Sequence, residues 1–242
     1  MRVILIAASI LSVLSSCDYF DGKRIPGNGK ITTQQRNVGS FNSIDVSGAI
    51  DVHIRQDSSA SVKVETDENL LEFLEVYTNG NALVIKTKSG YNLDPTKDVI
   101  VYATAPQLKN IDASGSCDII GDNVITTSDA LGIALSGSGS VNLQVNLPKL
   151  STKISGSGNV VLKGTAKEFE GNISGSGSIK AFDLITDNSS LDLSGSADAQ
   201  ITANQKLDIE VSGSGDVEYK GNAVVSQSIS GSGSVKKIPL SP

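Results

Sequence analysis

The chain has no tryptophan, one histidine, one methionine and two cysteines, and aromatic residues make up only 4% of its 242 positions. Each shortage excludes something. A lone histidine rules out a multi-histidine metal centre and weakens any Ser-His-Asp scheme. That histidine, His53, sits at an outward position of the alternation Val52-His53-Ile54-Arg55, where a surface side chain is the expectation. Without tryptophan, the core must be built from aliphatic side chains, and the commonest sugar-stacking surface is missing. The formal charge of −6 and the lack of any Lys/Arg cluster argue against a nucleic-acid partner, because phosphate binding needs clustered cations. The apolar run Val3 to Leu14 is too short to span a bilayer as a helix.

What the chain has in abundance is Ser-Gly-Ser-Gly. Copies or near copies begin at Ser47, Ser114, Ser136, Ser155, Ser174, Ser194, Ser212 and Ser230. From Ser114 onward the steps are 22, 19, 19, 20, 18 and 18 residues. A period near 19 residues marks a solenoid, in which each coil buries its apolar face only by stacking on its neighbours.

The residues flanking the motif keep phase with it. From Leu131 to Val145 the odd positions are Leu, Ile, Leu, Gly, Gly, Val, Leu and Val, and the even ones are small or polar. This alternation is that of a strand with one buried face, which a flexible Gly/Ser linker would have no reason to maintain. It predicts an inward ladder of Leu135, Ile154, Ile173, Leu193, Val211 and Ile229, one residue per coil. It also places both glycines of each motif inward, where they leave room for a sharp bend or a close approach. The serines then fall outward. So does a column running through Asp51, Asp118, Ser140, Asn159, Ser178, Asp198, Asp216 and Ser234.

Residues 48–113 lack the repeated motif but still read as β. Strands are expected over 51–56, 61–66, 74–78, 82–88 and 98–104, with a turn at Asn79-Gly80 and a helical turn at Glu68 to Phe73. Two or three irregular coils, or a small antiparallel cap over the open solenoid end, would fit. The fold class is therefore all-β: a single-stranded β-helix with coils of about 18–20 residues and a less regular β N-terminal part.

The N-terminus reads as an export signal. Met1-Arg2 is basic, and the apolar run ends in Leu14-Ser15-Ser16-Cys17, the pattern of a bacterial lipobox whose cysteine is lipidated and becomes the new N-terminus. The domain reading is a lipoprotein signal peptide over 1–17, a tether over 18–37 and the β-helical domain over 38–238. Cys17 is the one assigned site, for lipid attachment. Cys117 stands in Ser-Gly-Ser-Cys, where other repeats carry the second glycine, and reads as a small core side chain.

No other chemistry emerges. None of the Gly-Ser-Gly tracts has the lysine or the following helix of a phosphate-binding loop. Asp118 and Asp216 resemble the acidic positions of calcium-binding β-rolls, but those need an aspartate in every copy at a nine-residue period. Asp192, Asp208 and Glu210 fall on scattered outward positions rather than as a catalytic carboxylate pair. No catalytic residue, cofactor or metal site is assigned.

The lipobox, the Phe-x-x-Ile-x-Val-Ser-Gly start over Phe41 to Gly48 and the later Ile/Leu-Ser-Gly-Ser-Gly repeats together resemble a known family. It is the head GIN domain of auto-transporter adhesins, found in exported Bacteroidetes proteins, and the likeness covers residues 38–236. The resemblance implies a β-helical fold and an envelope location. The functional reading is a non-enzymatic, lipid-anchored envelope protein, an adhesin or surface scaffold with an unknown protein or glycan partner. Its place would be the outer membrane, facing the periplasm or the cell surface. Two alternatives are a glycan-binding or glycan-processing β-helix and a periplasmic protein-binding module.

Overall fold

The computed structural model describes residues 22–239. The expected signal segment, Cys17 and the first residues of the expected tether lie outside them. The N-terminal part comprises β1 (Lys23–Pro26), β2 (Ile31–Arg36), β3 (Ser43–Gly48), β4 (Asp51–Gln56), β5 (Ser61–Asp67), a 3₁₀ turn (Glu68–Phe73), β6 (Leu74–Asn79), β7 (Ala82–Thr87), β8 (Tyr91–Asp94) and β9 (Ile100–Ala105). The repeats supply β10 (Asn110–Gly115), β11 (Asp118–Gly121), β12 (Ile125–Thr126), β13 (Ala130–Gly137), β14 (Ser140–Gly156) and β15 (Asn159–Gly175). They continue through β16 (Ser178–Gly195), β17 (Asp198–Gly213), β18 (Asp216–Lys220), β19 (Val224–Gly231) and β20 (Ser234–Lys237).

From β10 onward every pairing is parallel, and the strands stack as a β-solenoid of about seven turns. The register carries Leu135 onto Ile154, Ile173, Leu193, Val211 and Ile229 in succession. The first five are at most 3% exposed. Ile229 departs from the expected burial. It keeps the register of the ladder, but it lies in the last coil with no further coil described above it, and 40% of it is exposed.

The motif glycines do not form the inward pair that alternation implied. The first glycine of each motif ends a strand in the left-handed region, with φ of +117° at Gly137, +116° at Gly156 and +125° at Gly175. The second is the inward one: Gly139, Gly158, Gly177 and Gly215 are buried, and Cys117 and Ala197 occupy the same place in their coils. The strand therefore turns a corner inside the motif instead of running through it. Parallel hydrogen bonding continues around the bend, with Ser157 N–H donating to Gly137 O and Ser176 N–H to Gly156 O, each at 2.9 Å. A side chain is excluded here for two reasons. L-residues avoid this φ, and a Cβ on Gly156 would lie 2.6 Å from the Gly137 carbonyl oxygen of the neighbouring coil.

Coils of different length are reconciled away from the corner. Ala181 pairs with Ile201 but Ile185 pairs with Thr202, so the extra residues of β16 bulge between two well-stacked regions. The bulge exposes polar backbone that the core must satisfy. Buried Thr186 donates to Thr202 O and shares a hydrogen bond with Ser189, and Thr202 donates to Phe182 O, all at 2.7–2.8 Å.

The N-terminal part combines both expected forms. β3 and β4 make the first coil and pair in parallel with β10 and β11. On the other side β3 meets β7 and β4 meets β9, again in parallel. Beyond these the direction reverses: β6 pairs antiparallel with β7, β5 with β9, and β2 with β5. The hairpin turns at Gly80 (φ +58°), and the helical turn falls on the expected residues. These antiparallel strands close the N-terminal end of the solenoid, whose edge would otherwise offer free backbone groups.

The tether needs shortening. Residues 31–36, expected to lie outside the domain, form β2 at the sheet edge, and 23–26 pair with β8. Asp67 fastens this segment. Its fully buried carboxylate accepts from Gly29 N–H (2.6 Å), Thr96 N–H (2.8 Å) and Thr96 Oγ1 (2.8 Å). Burial pushes the carboxyl up, but these donors together outweigh it and hold Asp67 below the ordinary carboxylate value.

Candidate functional site

Three outward features are built by the stacking. The first is the acidic and hydroxylic column at the corner. Ser140 donates its N–H and its hydroxyl to one Asp118 carboxylate oxygen, at 3.0 and 2.7 Å. Ser234 does the same to Asp216, and Ser178 Oγ donates to Asn159. The column expected to present free polar groups is thus largely an internal ladder along the coil axis. Asp51 is raised by burial, in part offset by the Asp118 N–H it accepts, and further raised by the Asp118 charge stacked on it. Among the described residues, no group of three or more His, Cys, Asp or Glu side chains is placed to hold a metal ion.

The second feature is a groove of about 870 Å³ along the opposite corner of the coils. Gln56, Thr126, Asn146, Thr165 and Ile185 line it, one from each of five successive coils. Gln56 accepts from the Thr126 N–H and donates to the Thr126 carbonyl, and Thr165 donates to Asn146 at 2.8 Å. Parallel stacking repeats the polar position at about 4.8 Å, so the groove runs roughly 19 Å along the axis. Its far end carries Ile185, 44% exposed, beside the charged Lys167 and Asp187.

The third feature surrounds His53, on the outward face of β4, β9 and β5. His53 is half-buried rather than freely exposed, and Asp122 Oδ1 lies 2.8 Å from its Nδ1. The Tyr102 ring packs 5.3 Å from the imidazole. Sequence alternation placed His53 outward but could not show its company. Arg55 shares β4 with His53, while Lys63, Tyr102 and Asp122 come from distant chain segments and arrive through β9–β5, β4–β9 and β11–β4 pairing.

Cys117 is wholly buried in the glycine column, and burial raises its thiol, which is the behaviour of a core side chain rather than a nucleophile. Of the scattered carboxylates, Asp208 pairs with Lys206, and Asp192 lies beside Glu210 on adjacent coils. The lipid-attachment residue Cys17 lies outside the described residues.

Comparison with solved structures finds the same architecture in Bacteroidetes proteins. A Bacteroides fragilis protein described as a "putative adhesin" is 27% identical, with a TM-score of 0.83 over 88% of this chain and all of that one. A Parabacteroides distasonis protein described as a "putative lipid binding protein" is 29% identical, with a TM-score of 0.76 over 89% of this chain and all of that one. A Parabacteroides merdae "putative adhesin" is 26% identical, with a TM-score of 0.65 over 90% of this chain and all of that one. A search of curated proteins finds no match. The family model described as "Putative auto-transporter adhesin, head GIN domain" matches residues 40–223, from the first coil to the penultimate one, and the chain belongs to that family.

Proposed function

We propose that the protein is an exported, non-enzymatic adhesin head, lipid-anchored through Cys17 at the outer membrane. The observation that carries this reading is the groove with one side chain per coil. A rigid row of polar side chains, fixed by its own hydrogen bonds and ending at Ile185, offers its remaining donors and lone pairs at fixed spacing, which suits an extended, repetitive partner held by many weak contacts. Stacked coils keep the row in register without a ligand, so little ordering is needed on binding. The Leu14-Ser15-Ser16-Cys17 sequence supports the anchor, since diacylation gives stable membrane attachment where a single chain holds marginally.

Lipid binding, the role ascribed to the Parabacteroides distasonis relative, finds less support in this chain. A mainly apolar depression beside Ile50, Leu93 and Val99 holds about 250 Å³, below the roughly 300–1,000 Å³ of a small-molecule site. Two experiments test the proposal. Protease shaving of intact cells should remove the domain if it faces outward, and survival of the full domain would move it to the periplasmic side. Cys17→Ala should release the protein from the membrane fraction, and retention there would overturn the lipid anchor.

A further inference from the structure

The depression beside His53 encloses about 380 Å³ and is built by register. Tyr102 stands between His53 on β4 and Lys63 on β5, and Thr104 between Arg55 and Ser61 in the next row. The N–H of Asp122 donates to the Ile54 carbonyl at 2.8 Å, which sets the Asp122 carboxylate against His53. Thr33 of β2 closes the far side, with its hydroxyl donating to Glu65 at 3.2 Å.

The charges in and around this depression are of both signs, and their pairing decides what it prefers. Asp122 is engaged by His53. Arg55 and Lys63 take part in none of the ion pairs between described residues. Two cations therefore face the depression with their donors available, which favours an anion, and a guanidinium fits a carboxylate with two parallel hydrogen bonds. A dianion is disfavoured, because the charges of Glu65 and Asp122 both reach Tyr102 in the floor. Burial first, and then those two carboxylates, keep the Tyr102 phenol protonated, so it serves as a donor as well as an aromatic face. The remaining wall is hydroxylic: Thr33, Ser61 and Thr104. A singly charged, polyhydroxylated ring satisfies all of these groups together.

We propose that this depression binds a carboxylate-bearing pyranose, with Arg55 and Lys63 on the carboxylate, the Tyr102 ring beneath the sugar, and the threonine and serine hydroxyls on its hydroxyl groups. The inference stands on local geometry and does not depend on the adhesin reading. A failure here and a failure of surface exposure would be seen in separate experiments.

The test uses the purified full chain with three probes: glucuronate, glucose and inorganic phosphate. His53 is the sole histidine, so its imidazole resonances report occupancy of the site without assignment ambiguity. Glucuronate should shift them saturably, with glucose and phosphate at least tenfold weaker. Arg55→Gln and Lys63→Gln should each weaken glucuronate at least tenfold, while Lys206→Gln, far along the solenoid, should not. Equal binding of glucose would remove the role of the cations, and equal binding of phosphate would make this a general anion site. Wild-type affinity in Arg55→Gln and Lys63→Gln, or no shift of His53 with glucuronate, would overturn the proposal. If a variant does not fold, the wild-type titration of His53 against the three probes still decides it.

Discussion

The two ends of this molecule solve the same packing problem with different chemistry. From Asn110 onward each coil is held by similar neighbours, and its inward sequence is nearly reduced to aliphatic ladders and small corner residues. Before Asn110 the coils meet antiparallel strands, and there the chain places its only histidine and, among the described residues, all of its arginines. Self-similar stacking needs little from its outward side chains. A cap with no repeating neighbour leaves its outward positions free to differ, and distant segments can be brought together there. The repeats supply length and rigidity, and the N-terminal part supplies the depression around His53, where side chains of both signs meet an aromatic floor.

The comparison can be broken first within the ladder. Leu193→Ala, in the middle of the stack, should cost about 2–5 kcal/mol as a core truncation, with Ile229→Ala costing under about 1 kcal/mol because its site is already open. Urea midpoints would show it, and equal losses would mean that the last coil is covered in solution.

The corner glycines separate conformational from stacking effects. Gly156→Ala meets both left-handed strain and the neighbouring carbonyl, and should cost about 2–4 kcal/mol. Gly48, at the cap-side end of the same column, has φ +112° but nothing within 4 Å of an added Cβ. Gly48→Ala should therefore cost only the strain, about 1–2 kcal/mol. Identical losses would show that coil-to-coil approach adds nothing at the corner.

Asp67 gives the cap a pH dependence opposite in sign to that of the raised carboxyls in the coils. Its folded pKa is depressed, so its contribution is complete above the unfolded carboxylate value near pH 4 and is lost as pH falls further through the folded value. Asp67→Asn should lower stability at neutral pH and flatten the acid limb of the unfolding curve. Asp51 and Asp112, both raised chiefly by burial, act in the opposite sense, so the comparison must be between variant and wild type at each pH. The smallest effect belongs to the exposed corner serines, where Ser157→Val and Ser176→Val should stay within about 0.5 kcal/mol of wild type.

Much of this was legible from residue order. Alternation across Leu131 to Val145 identified the buried ladder, and the spacing of the motifs identified the coils, because a parallel stack forces neighbouring coils to share register. The strand over 51–56, the Asn79-Gly80 turn and the 3₁₀ turn at Glu68–Phe73 followed from local propensity. The corner was misjudged for a physical reason: Ser-Gly-Ser-Gly preserves period 2 in letters, and only φ distinguishes a straight strand from one that bends at its first glycine. The strand β2 carries no strand signal of its own, because Ile31–Arg36 is almost wholly polar and its partner, β5, lies some thirty residues away.

The sequence alone determined the solenoid, its period and its aliphatic core, since these repeat in every coil and each coil announces its neighbour. Tertiary structure alone decided where the chain ends its repetition, which serine and aspartate groups are consumed by ladders along the axis, and which residues surround His53. Those arrangements depend on pairings between single segments such as β5 with β9, for which no periodic signal exists in the chain.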